Sequence, residues 1–441
     1  MTGLERRIRE KKAVIGVIGL GYVGLPLACL FAREGFTVLG ADIKREIVDK
    51  INKGIAPINE PGLEGLLSDV VSRRRLVATT DGGKVVRKAD AVFVVVQTPI
   101  GEDKLPDLSA FKAAFEDISK NLSKGDLIIS ESTIPPGTMK GVAAPILERS
   151  KLRAGEDFYL AYSPERAIPT KTLQEMQENE RIVGGINPES AELSALLYSH
   201  ITKGEIVKED IETAEIVKVI ENAYRDVNIA FANEIALLCE KLGISSKRAI
   251  ELANRHPRVN ILSPGPGVGG HCIPKDPYFL LHSAKKAGME LKLISSARQL
   301  NESMPSHVLK LIEGSLSEVG KDIKTAKVSI LGIAYKGNTD DSRNSPAEPI
   351  VRRLMAENCN VISHDPYVTE DFGGSFSNDI EDAVRNSDCV VFLADHDAYR
   401  ELNLQRFKGM LNSPCVVIDS RSLFEPRSFD EDGIRYVGLG K

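Results

Sequence analysis

The residues best suited to covalent chemistry are Cys272 and Asp276, which lie in the segment Gly-Gly-His-Cys-Ile-Pro-Lys-Asp at positions 269–276. A cysteine thiolate can attack a carbonyl carbon, and a carboxylate four residues later can move protons or orient water. The two glycines allow the backbone and a substrate to approach closely. Because most cysteines are small buried hydrophobic residues, this segment needs support from the rest of the chain.

The order of the first elements predicts a nucleotide site. Residues 13–18 form a short, mostly β-branched run that is typical of a buried parallel strand. The sequence Gly-Leu-Gly-Tyr-Val-Gly follows at 19–24, before a helical pattern over 25–34 and a second strand pattern over 37–41. This order of strand, glycine loop, helix and strand is typical of a Rossmann site.

Each glycine of this loop has a predicted role. We expect Gly19 to make the tight turn, Gly21 to let a pyrophosphate approach, and Gly24 to let helix and strand pack closely. Asp42 ends the second strand. Its carboxylate would bind the ribose 2′-hydroxyl and repel a 2′-phosphate, which favours NAD over NADP.

Polar residues follow three further predicted strands. These strands cover residues 91–96, 127–130 and 159–162. Ligands in open parallel sheets lie beyond the carboxyl ends of the strands, so we expect Thr98, Glu131 and Thr133 to contact nicotinamide or substrate. Glu165 follows the third of these strands, and the alternative for all such residues is ordinary turn chemistry. The predicted cofactor contacts are Gly19, Tyr22, Val23, Asp42, Thr98 and Thr133.

A long helix is predicted over residues 210–242, and it carries two polar candidates on one face. Lys218 and Asn222 are four residues apart, which places them one above the other. Glu215 precedes Lys218 by three residues, so the alternative for Lys218 is a surface salt bridge with Glu215.

The C-terminal third repeats the alternation of strands and helices. Its predicted strands cover residues 326–331, 361–363, 390–393 and 415–418. We therefore predict an α/β chain with two Rossmann-like doubly wound domains, joined by a long central helix and a helical middle domain. The expected domains are an NAD-binding domain at 1–205, a central helical domain at 206–305 and a second Rossmann-like domain at 306–441.

Composition excludes several functions. The 441 residues carry a net charge of −5, whereas nucleic-acid binders usually show a basic stripe. The six cysteines include no Cys-x-x-Cys pair and the histidines form no metal motif, so we expect reduced thiols and no metal.

The N-terminus has two possible interpretations. Arginines and lysines at positions 6–12 precede an uncharged, mostly apolar run at 13–32, a combination similar to a signal peptide or membrane anchor. The glycine loop explains that run as part of the nucleotide fold. We therefore expect a cytoplasmic protein, no membrane partner, and a solvated basic extension at the N-terminus.

Taken together, these motifs resemble the UDP-glucose/GDP-mannose dehydrogenase family along nearly the whole chain. The matching stretches are 19–24, Glu60-Pro61-Gly62-Leu63, Ser132-Thr133, Pro164-Glu165-Arg166, 218–224, 267–276 and 331–346. Within the family, the stretches at 164–169, 179–185, 256–261 and 264–267 resemble the branch that acts on UDP-N-acetyl-D-mannosamine. Lys275 departs from the family pattern, in which an apolar residue is usual.

The resemblance implies a two-step, four-electron oxidation of a primary alcohol at sugar C6 to a carboxylate, with two NAD per turnover. In that scheme Lys218, or a water held by Asp276, removes the hydroxyl proton. Cys272 forms a thiohemiacetal and then a thioester, while Lys218 and Asn222 stabilise the oxyanion. Asp276 and Glu165 would activate the hydrolytic water, and the Lys218 and Lys275 charges would favour the thiolate.

The resemblance also implies a UDP-sugar site in the C-terminal domain and a homodimer or higher homo-oligomer formed through the central region. The implied substrate contacts are Glu165, Arg166, Lys218, Asn222, Arg258, Asn260, Gly269, Tyr335, Lys336 and Arg421, with Arg258 reaching the substrate of a neighbouring copy.

Three alternatives remain open. The same chemistry would serve UDP-N-acetylglucosamine, UDP-glucose or GDP-mannose. A two-electron β-hydroxyacid dehydrogenase shares a Rossmann domain and a helical body, but it needs neither Cys272 nor residues 326–441. A non-catalytic sensor of NAD or of a nucleotide sugar would not need the four polar candidates Lys218, Asn222, Cys272 and Asp276.

Overall fold

A computed structural model describes residues 3–168, 170–429 and 433–441. The chain forms two compact units, of which unit 1 comprises Met1–Glu221 and Tyr278–Met289, and unit 2 comprises Asn222–Pro277 and Glu290–Lys441. The division into three domains remains a prediction, because compact units need not coincide with functional domains. The predicted domains are 1–205, 206–305 and 306–441.

Unit 1 is built on an eight-stranded sheet. Its strands are β1 (Val14–Ile18), β2 (Thr37–Ala41), β3 (Leu76–Thr79), β4 (Ala91–Val94), β5 (Leu127–Ser130), β6 (Tyr159–Tyr162), β7 (Arg181–Gly185) and β8 (Ile206–Asp210). They lie in the order β3-β2-β1-β4-β5-β6-β7-β8, and all neighbours are parallel except β6 and β7. Every residue of β4 and β5 is buried, as expected for strands covered on both faces.

Short helices flank this sheet. They are α1 (Gly3–Arg9), α2 (Gly24–Arg33), α3 (Arg45–Asn52), α4 (Leu63–Ser72), α5 (Gly82–Val86), α6 (Ser109–Ser119), α7 (Ala144–Leu147), α8 (Thr172–Glu178) and α9 (Pro188–Tyr198), with a π-helical turn at Met139–Ala143 and a 3-10 turn at Glu148–Ser150. The predicted helix after the glycine loop is α2. It ends before Gly35, whose φ of +102° is a conformation that glycine adopts without strain.

Unit 2 contains a six-stranded, fully parallel sheet. Its strands are β9 (Lys327–Leu331), β10 (Asn360–His364), β11 (Ser375–Phe376), β12 (Cys389–Phe392), β13 (Cys415–Asp419) and β14 (Ile434–Gly438). They lie in the order β11-β10-β9-β12-β13-β14. The four predicted strands of this region are therefore confirmed, and so is the second doubly wound fold.

The remaining helices include the predicted long one. They are α10 (Ile211–Leu242), α11 (Ser246–Ala253), α12 (Asp276–Lys286), α13 (Lys292–Glu318), α14 (Ala347–Ala356), α15 (Ile380–Val384), α16 (Asp397–Arg400) and α17 (Leu404–Lys408), with a 3-10 turn at Pro426–Phe429. The division between the units falls within α10 and within α12.

The expectation of a solvated N-terminal extension is wrong for residues 3–9. These residues form α1, which buries Leu4 and Ile8 in the core of unit 1. Arg7 also pairs with Asp90 at 2.8 Å. The two apolar residues are four apart and share one face of the helix, and the basic residues occupy the other faces.

Several strands were not predicted, for an identifiable reason. β8 reads Ile-Val-Lys-Glu-Asp, and four of its five residues are exposed, so it has no apolar face to detect. It is a strand because it pairs in register with β7, from Arg181 with Ile206 to Gly185 with Asp210. β3 and β11 have only four and two residues, too few for a clear strand pattern. They are strands because they pair with β2 and β10, respectively.

We predict that Ile8→Ala lowers the free energy of unfolding by about 2–4 kcal/mol, because the side chain is fully buried and a cavity replaces it. Chemical denaturation measures this change. Arg6→Ala, on the exposed side of the same helix, should stay within about 0.5 kcal/mol of the wild type. Equal effects of the two substitutions would mean that α1 does not contribute to the core.

Candidate active site

The glycine loop of unit 1 has the backbone geometry expected for a dinucleotide. Gly19 has a φ of +96°, and a Cβ there would collide with the carbonyl of Val95. A Cβ at Gly24 would collide with the carbonyl of Gly19, whereas a Cβ at Gly21 would meet no atom within 4 Å. The loop is thus tight where the chain turns and open at Gly21, where a pyrophosphate would need room.

Asp42 is held beside this loop by two backbone donors. Its carboxylate accepts hydrogen bonds from the amides of Leu20 at 3.0 Å and Lys44 at 2.9 Å. Carboxylate oxygens have further lone pairs, so Asp42 retains capacity for ribose hydroxyls. Tyr22 is exposed and Val23 is half-buried at the start of α2. These residues fit an NAD molecule.

The loops after β4 and β5 are tied together. The Thr98 hydroxyl donates to the carbonyl of Thr133 at 2.5 Å. The Ser132 hydroxyl accepts from the amide of Val96 at 2.9 Å and donates to its carbonyl at 2.7 Å. The two predicted contact residues, Thr98 and Thr133, therefore lie next to each other.

A buried ion cluster lies behind these loops. The Arg181 guanidinium bonds Glu165 at 2.9 Å and Glu131 at 3.4 Å, and Tyr198 donates to Glu131 at 2.5 Å. Glu131 is thus directed into the core, which is an unexpected position for a residue predicted to contact nicotinamide or substrate. Glu131 and Arg181 are 50 residues apart in the chain, so local sequence patterns do not indicate that they pair.

Charge in the cluster is unequally distributed. Burial raises the pKa of Glu131, despite the opposing charge of Arg181. Burial alone would also raise the pKa of Glu165, but Arg181, the amide of Ala167 and the Lys218 charge hold it below its usual value. Of the two carboxyl groups, Glu165 is therefore the one that ionises more readily.

Lys218 lies half-buried on α10, and the alternative of a surface salt bridge with Glu215 is wrong. Glu215 is fully buried and accepts hydrogen bonds from the amides of Gly137 at 2.7 Å and Met139 at 2.6 Å. Burial raises its pKa to about 7, although both amide donors favour the ionised form. Glu215 therefore fixes the loop that carries Thr133 to α10.

In unit 2, Asn222 and Asp276 form a hydrogen-bonded pair. The Asn222 amide donates to the buried Asp276 carboxylate and its oxygen accepts from Arg225. Arg225, which sequence reasoning missed, thereby orients the Asn222 amide. Cys272 is half-buried, and its carbonyl accepts from the amides of Lys275 at 3.0 Å and Asp276 at 2.9 Å.

The two glycines before Cys272 make room for Tyr335. A Cβ at Gly269 would lie 2.5 Å from the Cβ of Tyr335, and Gly270 has a φ of +84° with the Tyr335 ring 3.0 Å from its ideal Cβ. Burial, Asp341 and Cys272 all raise the pKa of Tyr335. Arg421 donates to the carbonyl of Tyr335 at 3.3 Å. Gly269, Cys272, Tyr335 and Arg421 therefore lie together in unit 2.

The other predicted substrate residues lie at the surface or at its edge. Lys336, Arg258 and Asn260 are exposed. The carbonyl of Asn260 accepts from Asn228 at 2.7 Å. Arg166, in unit 1, is half-buried and pairs with Glu221 at 3.0 Å.

The described ranges also bear on metal binding and on membrane insertion. Among these residues, no group of three or more His, Cys, Asp or Glu side chains is arranged to hold a metal ion. No helix in the described part of the chain is both long and apolar enough to cross a membrane.

Comparison with known proteins gives matches along the whole chain. Models of the UDP-glucose/GDP-mannose dehydrogenase family match as the NAD binding domain at 13–202, the central domain at 212–303 and the UDP binding domain at 329–426. The UDP-N-acetyl-D-mannosamine dehydrogenase of Pyrococcus horikoshii is 41% identical over 428 residues, covering 97% of this chain and 99% of that protein.

One solved structure and one further relative are also similar over nearly the full length. The solved structure of the UDP-D-ManNAc dehydrogenase from Pyrococcus horikoshii has a TM-score of 0.90 at 40% identity, covering 97% of this chain and 99% of its own. The NDP-N-acetyl-D-galactosaminuronic acid dehydrogenase of Ralstonia solanacearum is 38% identical over 435 residues, covering 96% of this chain and 99% of that protein.

The raised pKa of Glu215 predicts a pH dependence of stability. The folded chain holds this proton up to a pH of about 7, whereas an ordinary carboxyl releases it near 4.5. The stabilising contribution is therefore complete below about pH 4.5 and is lost as the pH rises through 7. Glu215→Gln cannot titrate, so its free energy of unfolding should fall less than that of the wild type between about pH 5 and 7.

Urea denaturation across this pH range measures the difference in slope. The control is Glu234→Gln, an exposed residue of the same helix, which should keep the wild-type slope. A Glu215→Gln slope identical to that of the wild type would contradict the prediction.

Proposed function

The chain belongs to the UDP-glucose/GDP-mannose dehydrogenase family and is an NAD-dependent nucleotide-sugar dehydrogenase, and we propose that it oxidises C6 of UDP-N-acetyl-D-mannosamine to UDP-N-acetyl-D-mannosaminuronate. The observation that carries this choice of sugar is the 41% identity, over nearly the full chain, to a UDP-N-acetyl-D-mannosamine dehydrogenase. The Ralstonia relative favours a second candidate, an N-acetylgalactosamine-type nucleotide sugar.

Bound NAD supplies the hydride acceptor for both oxidation steps. In the first, Lys218 or a water held by Asp276 takes the hydroxyl proton as the C6 alcohol becomes an aldehyde. Cys272 then adds to the aldehyde carbon, and loss of a second hydride turns the thiohemiacetal into a thioester. The sugar carbon loses four electrons in total, and the covalent bond to Cys272 keeps the aldehyde from escaping.

Lys218 and Asn222 stabilise the oxyanion of this adduct, an effect worth about 3 kcal/mol for a well-placed donor. The Asn222 amide carries two N–H donors, and one of them binds Asp276. In this proposal the other donates to the substrate oxygen. The contact with Arg225 supports this role because it fixes the direction in which the Asn222 donors point.

Water hydrolyses the thioester, releasing the carboxylate and regenerating the Cys272 thiol. Asp276 is the proposed base for this water. The Glu165 carboxylate already accepts from Arg181 and from the amides of Arg166 and Ala167. Because Arg181, the amide of Ala167 and the Lys218 charge hold the pKa of Glu165 below its usual value despite burial, Glu165 orients water better than it accepts a proton.

The nucleotide binds at the carboxyl edge of the unit 2 sheet in this proposal. Tyr335 and Lys336 follow β9, and Arg421 follows β13. The guanidinium of Arg421 donates to the carbonyls of Leu393 at 2.9 Å and Tyr335 at 3.3 Å, and its remaining N–H groups suit a diphosphate. Arg166, Arg258, Asn260 and Gly269 complete the proposed substrate contacts.

A panel of nucleotide sugars tests this function, with NADH counted per sugar. We expect two NADH per UDP-N-acetyl-D-mannosamine. Cys272→Ser should give at most one, because no thioester forms, and the aldehyde should accumulate. Cys359→Ser, a buried cysteine of the same unit, should retain two. Two NADH from Cys272→Ser would refute the thioester mechanism. Turnover only with UDP-N-acetylgalactosamine, UDP-glucose or GDP-mannose would show that the substrate is a different nucleotide sugar from the one proposed.

We also propose a homodimer formed through α10 and a cytoplasmic location. The helix exposes Tyr224, Phe231 and Leu238 at seven-residue spacing, with exposed fractions of 61%, 47% and 52%. Such a stripe, two helical turns per step, suits a second copy of the same helix. The burial of the five cysteines other than Cys272 is compatible with reduced thiols in the cytoplasm.

We expect Phe231→Asp to shift the protein from dimer to monomer, because a charge in the centre of the stripe would be desolvated on association. Sedimentation velocity over a range of concentrations measures the shift. Leu105→Asp, an exposed leucine of a unit 1 loop, is the matched control and should leave the dimer intact. A Phe231→Asp dimer of wild-type affinity would place the interface elsewhere.

A further inference from the structure

The loop between β9 and residue 338 is fixed at both ends by one buried pair, Asp365 and His396. At its start, one carboxylate oxygen of Asp365 accepts the amides of Ile333 at 2.7 Å and Ala334 at 2.8 Å. At its end, Nδ1 of His396 accepts the amide of Asn338 at 2.9 Å. The two side chains are completely buried and meet at 3.0 Å, from His396 Nε2 to Asp365 Oδ2.

These contacts determine where the proton of His396 lies. Because the amide of Asn338 can only donate, Nδ1 must be the acceptor, and Nε2 therefore carries the hydrogen that is donated to Asp365. The ring is neutral in this arrangement. One imidazole thus connects a carboxylate at the start of the loop to a backbone amide at its end.

Asp365 also holds the turn that follows β10. Its second oxygen accepts the amides of Tyr367 at 2.8 Å and Val368 at 3.0 Å. Burial alone would raise the pKa of Asp365, but His396 and the amides of Ala334 and Tyr367 hold it below its usual value. The carboxylate is therefore ionised and joins the turns that follow β9 and β10, while His396 brings in the turn after β12.

The segment between the two anchors carries Tyr335 and Lys336. Other contacts hold the end of this segment as well, because the amide of Gly337 donates to Asp395 at 3.0 Å and the Asn338 side chain bonds Asp397 at 2.8 Å. The Asp365–His396 pair differs from these in reaching both ends. A rotation of His396 would alter the spacing of the anchors and so move Tyr335 and Lys336.

We propose that Asp365 and His396 are positioning residues that set the loop of Tyr335 and Lys336 for the nucleotide end of the substrate. This inference rests on the proposed function, which places the UDP group at that loop. Neither residue touches the substrate in this proposal. They act through the backbone of residues 333–338.

Two substitutions of His396 separate its two contacts. In His396→Gln the side-chain amide can still reach Asp365, but the acceptor for the Asn338 amide is lost. In His396→Asn the side-chain oxygen replaces Nδ1 as that acceptor, and the bond to Asp365 is lost. The full chain is used, and UDP affinity is measured by calorimetry, with NAD affinity as the control for unit 1.

We expect His396→Gln to weaken UDP binding by about 3- to 10-fold, the effect of one net hydrogen bond, and His396→Asn to weaken it less. NAD affinity should remain at the wild-type value for both. A purely structural role would lower the melting temperature of both variants equally and leave UDP affinity unchanged, which would overturn the proposal.

Lys336→Ala distinguishes this failure from failure of the proposed function. If Lys336→Ala weakens UDP binding and His396→Gln does not, the positioning role is refuted and the UDP site stands. If neither does, the UDP site itself is refuted. Should His396→Gln not fold, His396→Ala leaves a ring-sized cavity, and restoration of UDP affinity by added imidazole would support the proposal, whereas wild-type affinity without imidazole would overturn it.

Discussion

Both units depend on the same close approach of two backbones. A glycine with positive φ follows the strand that comes first in the chain in each sheet, Gly19 after β1 and Gly332 after β9, with φ values of +96° and +102°. A Cβ at Gly19 would collide with Val95, and one at Gly332 with Ala394, on the backbone that leaves the neighbouring strand. The chain can therefore turn to opposite sides of the sheet at this point, which opens the crevice in which ligands of doubly wound folds bind.

In unit 1, buried charge decides which polar residue after the parallel strands points into the core. The residues that follow parallel strands share one edge, but in unit 1 Glu131 is directed inwards to Arg181. Arg181 also holds Glu165 in its ionised form. Burying two carboxylates beside one guanidinium is costly unless each is hydrogen-bonded, and Tyr198 supplies the additional donor to Glu131.

In unit 2, close packing links the proposed nucleophile to the proposed nucleotide loop. The glycines before Cys272 are required because Tyr335 occupies the space that any side chain would need. Arg421 holds the carbonyl of the same tyrosine. A change in the nucleotide loop would thus be transmitted to the Cys272 segment by direct contact, since close-packed interiors do not absorb displacements.

The sequence by itself determined what depends on neighbouring residues: the β-branched strands, the helix α2 with its terminal Gly35, and the Rossmann loop. It also singled out Cys272 as the proposed nucleophile. It also determined the family, because long motifs in a fixed order are specific. Tertiary structure alone decided what depends on partners distant in the chain. Glu215 reads as a surface acid beside Lys218, yet it binds an amide 76 residues away at Met139. The strand β8 likewise exists only through its pairing with β7, since a polar segment gains its backbone hydrogen bonds from a neighbour that local sequence does not specify.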